Sequence, residues 1–262
     1  MNPMDVLSDR SPQTFFAQHT GVRFIRFQWI DLSGILRTRM VTRQHCEHLI
    51  ESAQFLTVSV TLMLFPVSAL QISKTPATGC AELRPNWASL RICMYTQAHA
   101  SVMCSFYVRG ADHPYSLCPH STLEGVLHKA ETAFNKTFLV GFEVEFLVLT
   151  DKYESIVGVN QITTNSTTSG LRGKLLEALE RIVSILEGSG ITVQTVHTEG
   201  PSQLEIATGP LPPLEAIASL VYTHETIKTV FASYDLHATM APSVSSDGTT
   251  TGAHVHISMS QP

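Results

Sequence analysis

One run of apolar residues, 138–150, carries two glutamates two positions apart, and it sets narrow terms for the fold. A strand turns successive side chains to opposite faces, so Glu143 and Glu145 share one face while Phe142, Val144, Phe146 and Val148 share the other. So much flanking apolar sequence predicts a central strand. Two carboxylates side by side on such a strand repel each other unless a cation, a base or a proton compensates. A metal ion does this. The plainer alternative is a strand with one face in water and both glutamates solvated.

Two further segments add groups of the same kind. His197, Glu199 and Glu205 bracket the Gly200-Pro201 turn, which lets them meet across a hairpin; an ordinary polar connection is the alternative. In 252–258, alternation aligns His254 with His256 behind Gly252. Imidazole with carboxylate suits Mg²⁺, Mn²⁺ or Zn²⁺, and a set dominated by carboxylates leans toward the harder ions. A His-x-His pair also occurs in metal-dependent hydrolases, which would cleave amides or esters without ATP. There it usually opens a barrel and further ligands follow, whereas here almost no chain remains after it.

The rest of the chain reads as an α+β protein. After a polar lead-in to about residue 20, the stretch 22–30 is rich in β-branched and aromatic residues, Asp31 to Gly34 give a turn signal, and 35–41 returns as a strand. Helical spacing follows over 42–52. In 55–72, Thr57, Ser59 and Thr61 alternate with Val58, Val60 and Leu62, and Pro66 interrupts, which predicts a strand and not a membrane span. Strands at 90–95 and 100–108 complete a small first unit over 20–110. The two prolines of 114–119 mark a boundary, with Ser121 as N-cap of a helix over 123–134, and a second unit occupies 115–262. That unit has a Thr/Asn/Ser-rich loop at 160–169 and an amphipathic helix over 170–186 stopped by Gly188 and Gly190. Strands at 191–197 and 203–208, a helix over 213–234 and a strand at 253–259 follow.

Charge and cysteine usage remove several classes. A net charge of −5 and a pI near 6.2 leave no basic stripe for phosphate backbones, so nucleic acid is not an expected partner. Charged residues are only 15% of the chain against roughly 25% in typical soluble domains, which predicts apolar surface set aside for a subunit interface. Cys46, Cys80, Cys93, Cys104 and Cys118 are odd in number and lack paired ligand spacing, as expected of a reduced, cytoplasmic protein. Asp5, Asp9 and Arg10 near the start leave no apolar secretory core.

Taken in order, Glu143-x-Glu145, Gln203-x-Glu205 after a Gly/Pro turn, and Gly252-x-His254-x-His256-x-Ser258 resemble the glutamine synthetase family. The segment from Val22 through Gly34 to Arg37 looks like the start of that family's small β-grasp domain, and 117–123 is similar to the start of its catalytic domain. The flavour is nearest the glutamine synthetase-like branch that includes fungal developmental regulators. The resemblance implies a β-grasp domain followed by the first part of a catalytic domain with an antiparallel sheet. It implies an ATP-dependent ligase that joins ammonia or a related amine to glutamate or a related amino acid, forming an amide through a γ-glutamyl phosphate. Mg²⁺ or Mn²⁺ is the implied cofactor, and the full protein is expected to be a ring-forming homo-oligomer.

Carried over position by position, the resemblance makes Glu145 and Glu205 ligands of the ion on the glutamate and ammonia side. Glu143 and His254 look like ligands of the ion that accompanies ATP, with His256 close to the nucleotide phosphates. Glu199 is taken as the remaining carboxylate ligand, although an ungapped alignment puts His197 there. Family members continue beyond the His-x-His strand into segments that supply another metal carboxylate, arginines and a flap. Thr249 and Thr250 stand where an Asn-Gly pair is usual, Pro242-Ser243 where a lysine is often seen, and Pro85-Asn86 where Pro-Asp is common. These departures leave a second expectation beside the ligase, a non-catalytic relative that kept fold and ligands as a regulatory or assembly module.

Overall fold

The computed structural model describes residues 11–64, 79–152, 154, 165–200, 202–244 and 250–261. Parts of the sequence reading, namely 65–72 of the alternating run, 160–164 of the polar loop, Pro201 and Thr249, lie outside the described residues. By contacts the chain divides into two units, one mainly Met1–Cys93 with Gln97–Lys136 and the other Met94–Thr96 with Thr137–Gln261.

The first unit is built on a mixed sheet. Strands β1 (Phe24–Ile30) and β2 (Leu36–Thr42) form the expected hairpin, and helix α2 (Arg43–Glu51) starts from Thr42, whose hydroxyl accepts from the His45 amide at 3.3 Å. Asp31 fixes the turn. Its carboxylate, 2% exposed, accepts from the amides of Ser33 (2.8 Å) and Ile35 (3.0 Å) and from Arg37 Nε (2.8 Å). Adding β3 (Leu56–Ser59), β4 (Cys80–Pro85), β5 (Arg91–Ile92) and β6 (His99–Val108) gives six strands in the order β2-β1-β6-β4-β3, with β5 also on β6. β1 and β6 run parallel, as in a β-grasp arrangement, and Ile25, Phe27, Trp29, Leu83, Val102 and Phe106 form its buried core.

Several local expectations need correction. The polar lead-in contains helix α1 (Pro12–Gln18), capped by Ser11, whose hydroxyl accepts from the Thr14 amide, and anchored by buried Phe16. Among the described residues of the alternating run the strand is β3, and Ser59 turns the chain into the short helix α3 (Thr61–Leu64) through a bond from the Thr61 amide. The strand expected at 90–95 shrinks to β5, because Met94 N donates to the Tyr222 hydroxyl instead of to a ladder. Ser121 is not a cap: α4 (Pro119–Phe134) has Cys118 at its N-cap and Pro119 in its first turn. By contacts α4 groups with the first unit, where His120 Nδ1 meets Ser105 Oγ at 2.8 Å, and this contact division falls after Lys136.

The second unit carries the site. Its five-stranded antiparallel sheet is ordered β10 (His237–Thr239), β7 (Thr137–Leu149), β9 (Gln203–Thr208), β8 (Val193–Thr198). β11 (Ala253–Ser260) pairs with the first part of β7 and β10 with its end. Period two then sorts β7. Val144, Phe146 and Val148 are buried, and Phe146 stacks at 5.8 Å on Phe231 of α6 (Pro213–Ala232), which packs beside α5 (Gly173–Gly188). The opposite face, with Glu143 and Glu145, is left for chemistry. An antiparallel sheet with His254 and His256 on an outer strand offers no barrel, so the hydrolase reading loses its scaffold. Among the described residues no helix is long and apolar enough to cross a membrane.

Candidate metal centre

Strand register lays the predicted residues across one face. His197 on β8 stands opposite Glu205 on β9, Glu205 opposite Glu145 on β7, and Glu143 opposite His254 on β11. Cross-strand partners are the nearest side chains a sheet can offer, which is why four separate segments converge. His197 Nε2 lies 3.1 Å from Glu205 Oε1, and His197 Nδ1 lies 3.6 Å from Glu199 Oε1. His254 Nδ1 is 3.0 Å from Glu143 Oε2 and 3.6 Å from Glu145 Oε1, while His256 Nε2 is 3.0 Å from Glu143 Oε1.

Two sets of three have ligand atoms mutually within 4.8 Å: Glu143, Glu205 and His254, and His197, Glu199 and Glu205. Glu205 belongs to both. The sequence reading chose between His197 and Glu199; the fold brings both to Glu205. Glu145 falls in neither set of three; its Oε2 accepts from the Gly252 amide at 2.6 Å and from Gln203 Nε2. In the sequence Gln203 stands out only within the Gln203-x-Glu205 motif. The signal for it was present, since period two puts it on the same face as Glu205.

The electrostatics favour a cation. Glu205 is 4% exposed, and burial, then the carboxylates of Glu143, Glu199 and Glu145, push its carboxyl above the ordinary value against the pull of His197. Glu143 is held below the ordinary value, chiefly by its bond to His256 and also by His254. Several acids gathered with one of them buried form a donor set suited to a divalent ion, which would neutralise the repulsion. Gly252 supports the same reading: a Cβ there would stand 2.5 Å from Glu145 Oε1 and 3.0 Å from His254 Nε2, so only glycine lets the backbone in. Beside the patch opens a shallow cleft of about 330 Å³ lined by Glu143, Gln194, Thr208, His256 and Ser258 among others.

Residues 116–262 match the family described as "Glutamine synthetase, catalytic domain". The chain is 22% identical over 255 residues to the fluG protein of Emericella nidulans, covering 95% of this chain and 29% of that one. It is 26% identical over 258 residues to type-1 glutamine synthetase 1 of Dictyostelium discoideum, covering 91% of this chain and 51% of the relative. The fold matches the solved GmaS/ADP complex with a TM-score of 0.81 at 18% identity, over 94% of this chain and 55% of the other. The chain thus spans from under a third to about half of the curated relatives it is compared with.

Proposed function

The chain belongs to the glutamine synthetase family, and from that premise we propose that it is the metal-holding part of an ATP-dependent ligase that joins ammonia or an amine to the side-chain carboxyl of glutamate or a related amino acid. One observation carries the reading: carboxylates and imidazoles from β7, β8, β9 and β11 share a single face in register. Such a ligase activates the carboxyl as an acyl phosphate, and the amine then displaces phosphate to leave an amide.

Glu143 and His254 would hold the ion that accompanies ATP, with His256 near the phosphates. Glu145 and Glu205, with His197 or Glu199, would hold the ion on the amino-acid side. Bound Mg²⁺ or Mn²⁺ supplies neutralisation of phosphoryl charge. The protein's own groups anchor and orient: Gln203 and the Gly252 amide fix Glu145, and His256 fixes Glu143. A cytoplasmic setting and a homo-oligomer belong to the same proposal.

A second reading, a non-catalytic relative serving regulation or assembly, is favoured by the departures from the family's usual residues at Pro85-Asn86, Pro242-Ser243 and Thr249-Thr250. Isotope-traced amide formation with ATP, glutamate and ammonia or an amine, run on this chain and on a version extended from its native transcript, separates the two. Product from the extended chain supports the ligase. Ion binding without product from either supports the module.

A further inference from the structure

The geometry points to His197, through Nε2, as a direct metal ligand beside Glu205, with Glu199 as the carboxylate that orients it, so that this position selects a borderline transition ion over Mg²⁺. The inference rests on the reading that the patch binds divalent ions, and it adds which ion and through which atoms.

A histidine offers one ring nitrogen to an ion and needs a hydrogen-bond acceptor for the other, which fixes its tautomer. His197 meets both requirements. Nδ1 lies 3.3 Å from the Thr198 carbonyl oxygen and 3.6 Å from Glu199 Oε1, acceptors that can take the ring proton when an ion occupies the other nitrogen. Nε2 faces Glu205 Oε1 at 3.1 Å, a contact that an ion between the two would replace and a spacing that neighbouring donors on one ion adopt. The strand places it there, since His197 and Glu205 are direct partners and Glu145 is the next residue across. Glu199 follows β8, and its carboxylate faces the far nitrogen of the imidazole.

Ligand chemistry then sets the preference. Mg²⁺ favours an all-oxygen octahedron with several waters, whereas an imidazole with carboxylates raises affinity along the transition series. A neutral nitrogen donor also leaves the site with less negative charge than a carboxylate would, which costs Mg²⁺ more than an ion that forms a strong bond to nitrogen.

Co²⁺ is the probe, because its visible bands report nitrogen ligation directly. The intact 262-residue chain is titrated with Co²⁺ against excess Mg²⁺ and followed by visible absorption and calorimetry. Wild type should hold Co²⁺ in the presence of Mg²⁺. H197Q should lose at least about tenfold in Co²⁺ affinity with little change for Mg²⁺, and E199Q should weaken Co²⁺ by about tenfold while keeping the band positions. H197E, which restores an oxygen donor, should bind ions again but with the preference moved toward Mg²⁺; circular dichroism checks that each variant is folded. Undiminished Co²⁺ competition in H197Q overturns the assignment and leaves the ligase reading standing. E199Q losing the nitrogen bands as fully as H197Q overturns it too. Wild-type chain that binds no divalent ion overturns both this inference and the metal-holding reading.

Discussion

Gly252 approaches Glu145 so closely that its amide donates to Oε2 at 2.6 Å while a methyl group on its Cα would stand 2.5 Å from Oε1. In the proposed metal site the glycine would orient the Glu145 carboxylate without touching the ion. Gly252→Ala should therefore push Glu145 off its bond to the backbone and lower Mn²⁺ affinity by about tenfold, the usual scale for a disturbed outer partner. Gly252 lies just before β11, so thermal stability should change by less than about 1 kcal/mol. Calorimetry with Mn²⁺ and a thermal melt check the two halves; a large melt shift with unchanged affinity would make the glycine a folding residue only.

Glu145 and Glu205 are cross-strand partners, 8% and 4% exposed, and stand where an ion would neutralise them. Replacing either with alanine should abolish Mn²⁺ or Mg²⁺ binding measured by calorimetry. The metal-free fold should survive, with a melting temperature within about 5 °C of wild type, because removing one acid also relieves repulsion. Unchanged ion affinity would mark them as ordinary glutamates of a polar face.

The metal-free chain should respond to pH in two opposite ways. Glu205 binds its proton more tightly folded than unfolded, so in the window from 4.5 up to its raised value the folded state holds the extra proton and stability falls as pH rises. Glu143 is shifted down, so its stabilising contribution is present above 4.5 and is lost as pH falls through its lowered value. Urea unfolding across pH should show the upper slope in wild type and not in E205Q, while E143Q should flatten the acidic end and also weaken the upper slope, because the Glu143 carboxylate helps to raise Glu205. Saturating Mn²⁺ should erase the upper slope, since an ion bound to the carboxylate replaces the proton.

Strands whose alternation is strong were legible before any coordinates. β7 and β11 fell within a residue or so of expectation because apolar and functional positions keep period two there. β4 was not legible: Glu82 and Arg84 sit on one of its faces, and only the fold reveals that Arg84 lies over the rings of Phe55 and Tyr107, 4.8 and 4.2 Å from their centres, with Glu82 and Asp112 as ion partners. β10, at His237–Thr239, is too short to carry a periodic signal, and its place is set by the free end of β7. Helix α1 did have a signal, Ser11 followed by Pro12, which the polar composition around it masked. The acidic and imidazole residues that the sheet gathers on one face were likewise readable, but their partners were not. Register between β8 and β9 decides that His197 faces Glu205, and register is a property of packing, not of either segment alone.

The turn after β1 offers a stability test that is independent of the metal patch. Asp31 satisfies two amides and the Arg37 guanidinium from a nearly inaccessible position, with 0% of its side chain exposed. Its own backbone closes the turn, accepting from Gly34, whose φ of +77° suits glycine. Asp31→Ala would leave buried donors without an acceptor, which costs about 2–4 kcal/mol, and Asp31→Asn, which keeps one oxygen, about half of that. Both tryptophans, Trp29 and Trp87, lie in the first unit, so their fluorescence in urea reports on that unit. The alanine variant should lower that midpoint while leaving Mn²⁺ affinity unchanged. A shift of less than about 0.5 kcal/mol would mean that water satisfies the freed donors and that the turn is held by Gly34 and the ladder instead.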